Sequence, residues 1–151
     1  MVKPTDQILR LKRIEDIGAD RDAPILLDKN ERIVPYPNEV FQELLQSINP
    51  KELIKYPDQS GLYKKLSEFL CLDPKCLLLT SGSDNGLKLI FETFLRAGDE
   101  LICLDPTYAM SMVYAKMFDA KVTQVGYNTR LELNIDLLFS CITDNTKIVY
   151  L

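Results

Sequence analysis

A glycine- and serine-containing turn between an apolar strand and a helix is the strongest candidate site for chemistry in this sequence. The run LLLT at 77–80 leads into Ser81-Gly82-Ser83-Asp84, and an apolar helical stripe follows. Glycine lets the backbone turn tightly and approach a ligand, and free N–H groups at a helix start attract anions. The pattern therefore predicts a phosphate site at residues 82–84. A plain strand-to-helix turn with Asp84 as the N-cap is the alternative, because the pattern matches neither a Walker loop nor a Gly-x-Gly-x-x-Gly fingerprint.

A second candidate, Tyr108, follows the next apolar strand. In open α/β sheets, ligands bind at the carboxyl ends of the strands, and Pro106-Thr107 turns the chain just before this tyrosine. A flat aromatic ligand could stack on the exposed ring. The alternative is a tyrosine that only covers the start of the next helix. Together, a phosphate site after one strand and an aromatic ring after the next suit a phosphorylated aromatic cofactor.

Alternating apolar patterns predict the elements that position these residues. Residues spaced i, i+3, i+4, i+7 predict helices, and short continuous apolar runs predict buried strands. The predicted helices are 37–49, one that starts after Asp58 or Ser60 and runs to Leu70, 87–95, 110–118 and a short one after Asn134. The predicted strands are 77–80, 101–104, 121–125 and 147–151. This alternation predicts an α/β fold, with a mostly parallel sheet between two helical layers.

The amino-acid composition argues against several kinds of mechanism and binding partner. The chain has 151 residues, a net charge of -4, no histidine, and four cysteines without a Cys-x-x-Cys pair. The lack of histidine excludes a Ser-His-Asp mechanism and histidine-ligated metals, so no metal site is expected. The acidic balance argues against nucleic acid. No apolar run approaches the roughly 20 residues that cross a bilayer, and the charged N-terminus is not typical of a secretory signal. A cytoplasmic protein with reduced cysteines is expected.

The order of several short motifs resembles that of histidinol-phosphate aminotransferases and their class I/II relatives. The motifs are LDKNE (27–31), KYPDQSGLYKKL (55–66), TSGSDNG (80–86), AGDELICLDPTYAM (97–110) and DAKV (119–122). Each is weak alone, but they cover nearly the whole chain from Leu27 onward in family order. The resemblance implies the large domain of a fold-type-I pyridoxal-phosphate transferase, here incomplete. Residues 1–35 would form an N-terminal arm, and residues 36–151 would form the first part of the cofactor-binding domain.

The resemblance also implies roles for individual residues. Gly82, Ser83 and Asp84 would hold the phosphate of pyridoxal 5'-phosphate, and Tyr108 would stack on its ring. Tyr56 would reach across a homodimer interface to the phosphate in the neighbouring subunit. On residues alone, a turn tyrosine packed before Pro57 is the favoured interpretation of Tyr56.

The substrate is less constrained by the sequence. The resemblance implies that Asn30, on the arm, would sit near the substrate. After Asn30-Glu31 the family usually continues Asn-Pro-Tyr-Gly, whereas this chain has RIVPYP at 32–37. That segment borders the substrate pocket in the family, so a relative acting on another amino acid or an amino sugar precursor stays open.

The implied activity is transfer of an amino group between an amino acid and a 2-oxo acid, with histidinol phosphate and 2-oxoglutarate as one candidate pair. The family's cofactor-binding lysine, the aspartate that pairs with the pyridine nitrogen and the substrate-binding arginines would all lie beyond Leu151. No catalytic residue is therefore assigned here, and the 151 residues alone are expected to be inactive. In the resembling fold, strands from beyond Leu151 would also insert between the strands present here. Two alternatives remain: a pyridoxal-phosphate-dependent decarboxylase of the same fold, and a non-catalytic α/β module that binds phosphate.

Overall fold

The computed structural model describes residues 3–11, 30 and 32–151. Within them, the elements in chain order are α1 (Asp6–Leu9), α2 (Asn38–Ser47), α3 (Ser60–Leu70), a short 3₁₀ turn (Pro74–Cys76), α4 (Gly82–Phe94), β1 (Glu100–Asp105), α5 (Ala109–Met117), β2 (Lys121–Gly126), α6 (Ile135–Ser140) and β3 (Thr146–Tyr150). The described residues before 16 and from 79 onward form one compact unit, and those between 16 and 78 form another. No helix of these described stretches is long and apolar enough to cross a membrane.

The three strands form one parallel sheet in the order β2-β1-β3. β1 lies in the centre, with Glu100 opposite Lys121 on one side and Leu101 opposite Ile148 on the other. Its four middle residues, 101–104, are all buried. A run of consecutive buried residues requires cover on both faces of the sheet, and this confirms the predicted α/β class with a parallel sheet.

Alternate residues of β1 enter two separate cores. Leu101 packs with Phe91 of α4 and with Tyr114 of α5. Ile102 and Leu104, which point to the opposite face, pack with Val125 and with Leu138 of α6. The helices therefore cover both faces, as a three-layer arrangement requires. The functional consequence is that α4 and α5 lie on the same face, side by side over the sheet.

Most element predictions are confirmed with shifted boundaries. Asn134 caps α6, because its side chain accepts a hydrogen bond from the Leu137 N–H at 2.9 Å. α4 begins at Gly82, five residues before its apolar stripe. Pro37 precedes the first residue of α2 rather than occupying its first turn. Capping and turn chemistry, which extend beyond the apolar stripe, account for these shifts.

The predicted strand at 77–80 is wrong for the described structure. The segment has no strand assignment, and its Leu78 is 70% exposed. An apolar run becomes a strand only when another strand satisfies its N–H and C=O groups, and none of the three described strands does so. β1, β2 and β3 pair directly with one another in the described residues. Insertion of strands from beyond Leu151, whether between these strands or beside 77–80, stays a prediction.

The predicted N-terminal arm, residues 1–35, falls largely outside the described residues, since 1, 2, 12–29 and 31 are not described. The described part contains α1, a single turn of helix. The arm and its boundary at residue 35 stay predictions.

Candidate functional site

The predicted phosphate site at residues 82–84, called the cradle below, is a tight turn that leads into α4. The Gly82 N–H donates to the Thr80 carbonyl at 2.8 Å, and the Thr80 hydroxyl donates to the Gly82 carbonyl at 2.9 Å. Gly82 has a φ of +80°, which side chains with a Cβ rarely adopt. A Cβ built there would meet nothing within 4 Å, so the space beside this glycine is open. The turn therefore needs glycine for its backbone shape and leaves room for a ligand.

The start of α4 supplies the donors that an anion needs. Gly82, Ser83 and Asp84 are its first three residues, and Ser81 is the N-cap. The alternative in which Asp84 is the N-cap is therefore wrong. The Ser81 side chain makes no capping hydrogen bond, and the first-turn N–H groups of a helix have no partner within the helix. The Gly82 N–H already donates to Thr80, so the first-turn N–H groups of Ser83 and Asp84, at the positive end of the helix dipole, are the candidate anion donors.

A second glycine lets the turn fold against the helix. A Cβ at Gly86 would lie 3.3 Å from the Thr80 hydroxyl oxygen, tighter than ordinary contact. A larger residue at 86 would push against the Thr80 side chain, which bonds the Gly82 carbonyl. Gly86 therefore helps to fix the geometry of the cradle, although it lies outside the predicted site.

Hydrogen bonds link the cradle to the second predicted region. The Tyr108 hydroxyl donates to one carboxylate oxygen of Asp84 at 3.3 Å, and the Tyr114 hydroxyl donates to the other at 2.8 Å. Bonds to an ionised acceptor are stronger than neutral ones. The structure thus brings two predicted residues together, Asp84 from the start of α4 and Tyr108 from the start of α5.

Tyr108 is the N-cap residue of α5, immediately after the turn that leaves β1. The Ser111 hydroxyl, fully buried, donates to the Tyr108 carbonyl at 2.6 Å, and the Ser111 N–H donates to the same oxygen at 3.0 Å. These bonds fix the backbone, whereas the ring is 51% exposed. A held backbone with an accessible ring is what stacking on a flat ligand requires.

Sequence reasoning missed Tyr114. Its spacing with Met110, Val113, Met117 and Phe118 places it in an apolar stripe, and the residue is indeed buried, 6% exposed, with its ring edge-on to Phe91. Only its hydroxyl distinguishes it from a core phenylalanine. The signal that could have identified it is that a buried tyrosine hydroxyl needs a partner, and that partner is Asp84.

The remaining predicted residues belong to the other compact unit. Tyr56 lies in the chain between α2 and α3 and its side chain is fully exposed, and Asn30 is exposed as well. Their placement relative to the cradle stays a prediction.

The Cys103 thiol is not available as a nucleophile. All four are free, and Cys103 is buried in β1. Burial, together with the negative charge of Asp105, raises the pKa of the Cys103 thiol, which therefore stays protonated at neutral pH. In residues 3–11, 30 and 32–151, no group of three or more acidic or cysteine side chains is arranged to hold a metal ion.

Comparison with known proteins places this fold and sequence in a family. Residues 24–151 match the family model for aminotransferase class I and II. Histidinol-phosphate aminotransferase from Christiangramia forsetii is 36% identical over 115 residues, 74% of this chain and 33% of that protein. The enzyme of the same name from Methanocaldococcus jannaschii is 30% identical over 130 residues, 84% of this chain and 35% of that protein. The chain thus spans about a third of the length of these relatives.

Solved structures agree on the fold. An aspartate aminotransferase mutant from Thermus thermophilus matches 99% of this chain and 44% of its own with a TM-score of 0.78 and 18% identity. The histidinol-phosphate aminotransferase from Sinorhizobium meliloti, solved with pyridoxal-5'-phosphate, matches 78% of this chain and 32% of its own with a TM-score of 0.65 and 20% identity. Both likenesses show the fold-type-I architecture, and the chain belongs to the aminotransferase class I and II family.

Proposed function

We propose that this chain is the N-terminal part of a pyridoxal-phosphate-dependent aminotransferase that moves an amino group between an amino acid and a 2-oxo acid. In this proposal residues 1–35 form an arm, and residues 36–151 form the first part of the cofactor-binding domain. The complete protein works as a homodimer in the cytoplasm. The observation that carries the proposal is the hydrogen-bonded link between the uncapped start of α4 and the half-exposed ring of Tyr108.

The residues present fit the cofactor. Gly82 leaves open space beside the turn, and the first-turn N–H groups of Ser83 and Asp84 suit the phosphate. Tyr108 offers a ring for stacking on the pyridine, and its hydroxyl bond to Asp84 limits the ring's rotation. When bound, pyridoxal phosphate supplies the electron-withdrawing ring that stabilises negative charge at the substrate α-carbon. The residues of this chain would hold and orient the cofactor. In this proposal the lysine that transfers protons lies in a later part of the protein.

Two further roles belong to the proposal. Tyr56, with its fully exposed side chain, reaches the cofactor phosphate of the neighbouring subunit. Asn30 contacts the substrate. The names of the relatives support histidinol phosphate as the amino donor, and 2-oxoglutarate is the acceptor in this proposal.

The conformation of segment 32–37 supports a second candidate substrate. The segment 32–37 departs from the family pattern, and there the Arg32 guanidinium lies 4.3 Å from the Tyr36 ring centre while its Nε donates to the Val34 carbonyl at 2.6 Å. This local arrangement gives the segment its own shape. Another amino acid substrate, or a phosphorylated one that is decarboxylated, is the second candidate.

The test is to add pyridoxal phosphate to the complete protein and to offer a panel of amino donors with 2-oxoglutarate. We expect visible absorbance from lysine-bound cofactor and formation of glutamate, with histidinol phosphate as the preferred donor. Release of carbon dioxide without glutamate would favour the decarboxylase. Phosphate binding without any cofactor absorbance would favour a non-catalytic module and contradict the proposal.

A further inference from the structure

Asp84 poses an electrostatic problem for the proposed phosphate site. Its carboxylate lies in the first turn of α4, where a negative charge is attracted to the same N–H groups and dipole end that would bind an anion. If the carboxylate turned toward those groups, it would compete with the phosphate and repel it. Something must therefore hold it aside.

The structure shows what holds it. Each carboxylate oxygen accepts a hydrogen bond from a different tyrosine of the α5 region, and the shorter bond, 2.8 Å, comes from Tyr114. Tyr114 is almost completely buried against Phe91 and Leu101, so its hydroxyl is fixed in space by the core. Tyr108, by contrast, is half exposed and its bond is longer. The rigid partner of the carboxylate is thus Tyr114.

We propose that Tyr114 is a positioning residue for the phosphate site, and this rests on the function proposed above. Its buried hydroxyl draws the Asp84 carboxylate toward α5, which leaves the first-turn N–H groups of α4 to the phosphate. The same carboxylate then orients the Tyr108 hydroxyl and, with it, the stacking ring. Tyr114 itself touches neither the phosphate nor the cofactor ring.

The experiment measures the affinity of the complete protein for pyridoxal phosphate and, separately, for inorganic phosphate in the cofactor-free form. We expect Tyr114→Phe to weaken both by about tenfold, the effect of losing one hydrogen bond to a charged group. Adding Asp84→Asn to Tyr114→Phe removes the competing charge and should restore most of the affinity. Tyr150→Phe is the matched control, because Tyr150 also meets Phe91 edge-on, at 6.4 Å, and should leave both affinities unchanged.

The outcomes separate the two proposals. If the wild-type protein binds neither probe, the proposed function is wrong and the role of Tyr114 falls with it. If wild type binds both but Tyr114→Phe behaves as Tyr150→Phe, or if Asp84→Asn gives no rescue, the positioning role alone is overturned. Should Tyr114→Phe fail to fold, Asp84→Glu serves instead, since the longer side chain shifts the carboxylate off the tyrosine hydroxyls. Wild-type phosphate affinity in Asp84→Glu would contradict the proposal.

Discussion

The two compact units of this chain both contain helices with apolar residues at helical spacing, but they bury these residues very differently. From residue 79 onward, each of α4, α5 and α6 buries apolar residues in one of two cores on either side of β1, among them Phe91, Ala115 and Leu138. In the other unit, the apolar face of α2 stays exposed, and so do the large apolar residues that precede α3 and follow it. These exposed residues include Val40, Phe41, Leu44, Leu45, Ile48, Leu53, Ile54, Leu72 and Leu78.

The difference teaches what an amphipathic pattern does and does not specify. The pattern places a helix and its apolar face, but only a partner surface buries that face. β1 provides such a surface for α4, α5 and α6, whereas no described residue fully buries an apolar side chain of α2. Both units therefore have sequences that predict buried helix faces, but only one unit buries them. That contrast can be tested in the 151-residue chain.

The largest expected contrast is in thiol reactivity. Cys71 and Cys76 are exposed in one unit, whereas Cys103 is buried in the sheet of the other and its thiol pKa is raised by burial and by Asp105. Because the thiolate is the reactive form and labelling of Cys103 requires the core to open, its rate at pH 8 should be about 10³-fold below that of Cys71. Mass spectrometry of single-cysteine variants measures both rates. Equal rates would show that the sheet core is not formed.

The next contrast is between two phenylalanines. Phe91 is 0% exposed in α4, and Phe41 is 48% exposed in α2. Phe91→Ala should lower the free energy of unfolding by about 3–5 kcal/mol, because it leaves a cavity in the core. Phe41→Ala should cost less than about 1 kcal/mol. Urea denaturation followed by circular dichroism gives both values, with Phe94→Ala, an exposed residue of the same helix as Phe91, as control.

The Phe41→Ala variant also tests whether a segment outside the 151 residues covers α2 in the complete protein. In the complete protein, a segment that covers α2 would make Phe41→Ala costly. A small cost for Phe41→Ala in both proteins would mean that the apolar face of α2 remains exposed in the complete protein.

The smallest effect concerns pH and the start of α3. The Asp58 carboxylate accepts hydrogen bonds from the Ser60 N–H and hydroxyl, both at 2.9 Å, and these lower the pKa of Asp58. A lowered pKa stabilises the folded form above the ordinary carboxyl value, roughly 3.9, and this stabilisation is lost as pH falls through the lowered value. Amide exchange in α3 should accelerate slightly in that acid range for wild type. Asp58→Asn should show no such step; an identical pH profile in both would contradict the assignment.

Much of the fold follows from local patterns, and the exceptions have a common cause. The sequence predicted β1 from its apolar run, and β2 and β3 from short segments between turns, and each has a parallel neighbour. The apolar run 77–80 resembles that of β1 but has no described neighbour, so composition alone misassigned it. Local chemistry likewise predicted the Asn134 cap, which depends only on residues three apart.

The candidate site likewise contains residues that local sequence predicted and one, Tyr114, that it did not. Gly82, Ser83, Asp84 and Tyr108 were predicted because each lies where the sequence predicts a strand leading into a helix. The bond from Tyr114 to Asp84 joins residues thirty positions apart, and it depends on α4 and α5 lying on one face of the sheet. Nothing local to Tyr114 distinguishes it from its apolar neighbours, so only the tertiary structure reveals the contact.

The most direct test of the account is whether the turn at Gly82 binds the cofactor phosphate. Gly98 is a matched control, because it too has a positive φ, +89°, with no atom within 4 Å of a would-be Cβ. Gly82→Val and Gly98→Val should therefore impose similar backbone strain. In the complete protein, we expect Gly82→Val to weaken pyridoxal phosphate affinity by at least about tenfold, by obstructing the close approach of the phosphate, whereas Gly98→Val binds as wild type. Unchanged affinity in Gly82→Val, or equal losses in both variants, would contradict the placement of the cofactor site at the start of α4.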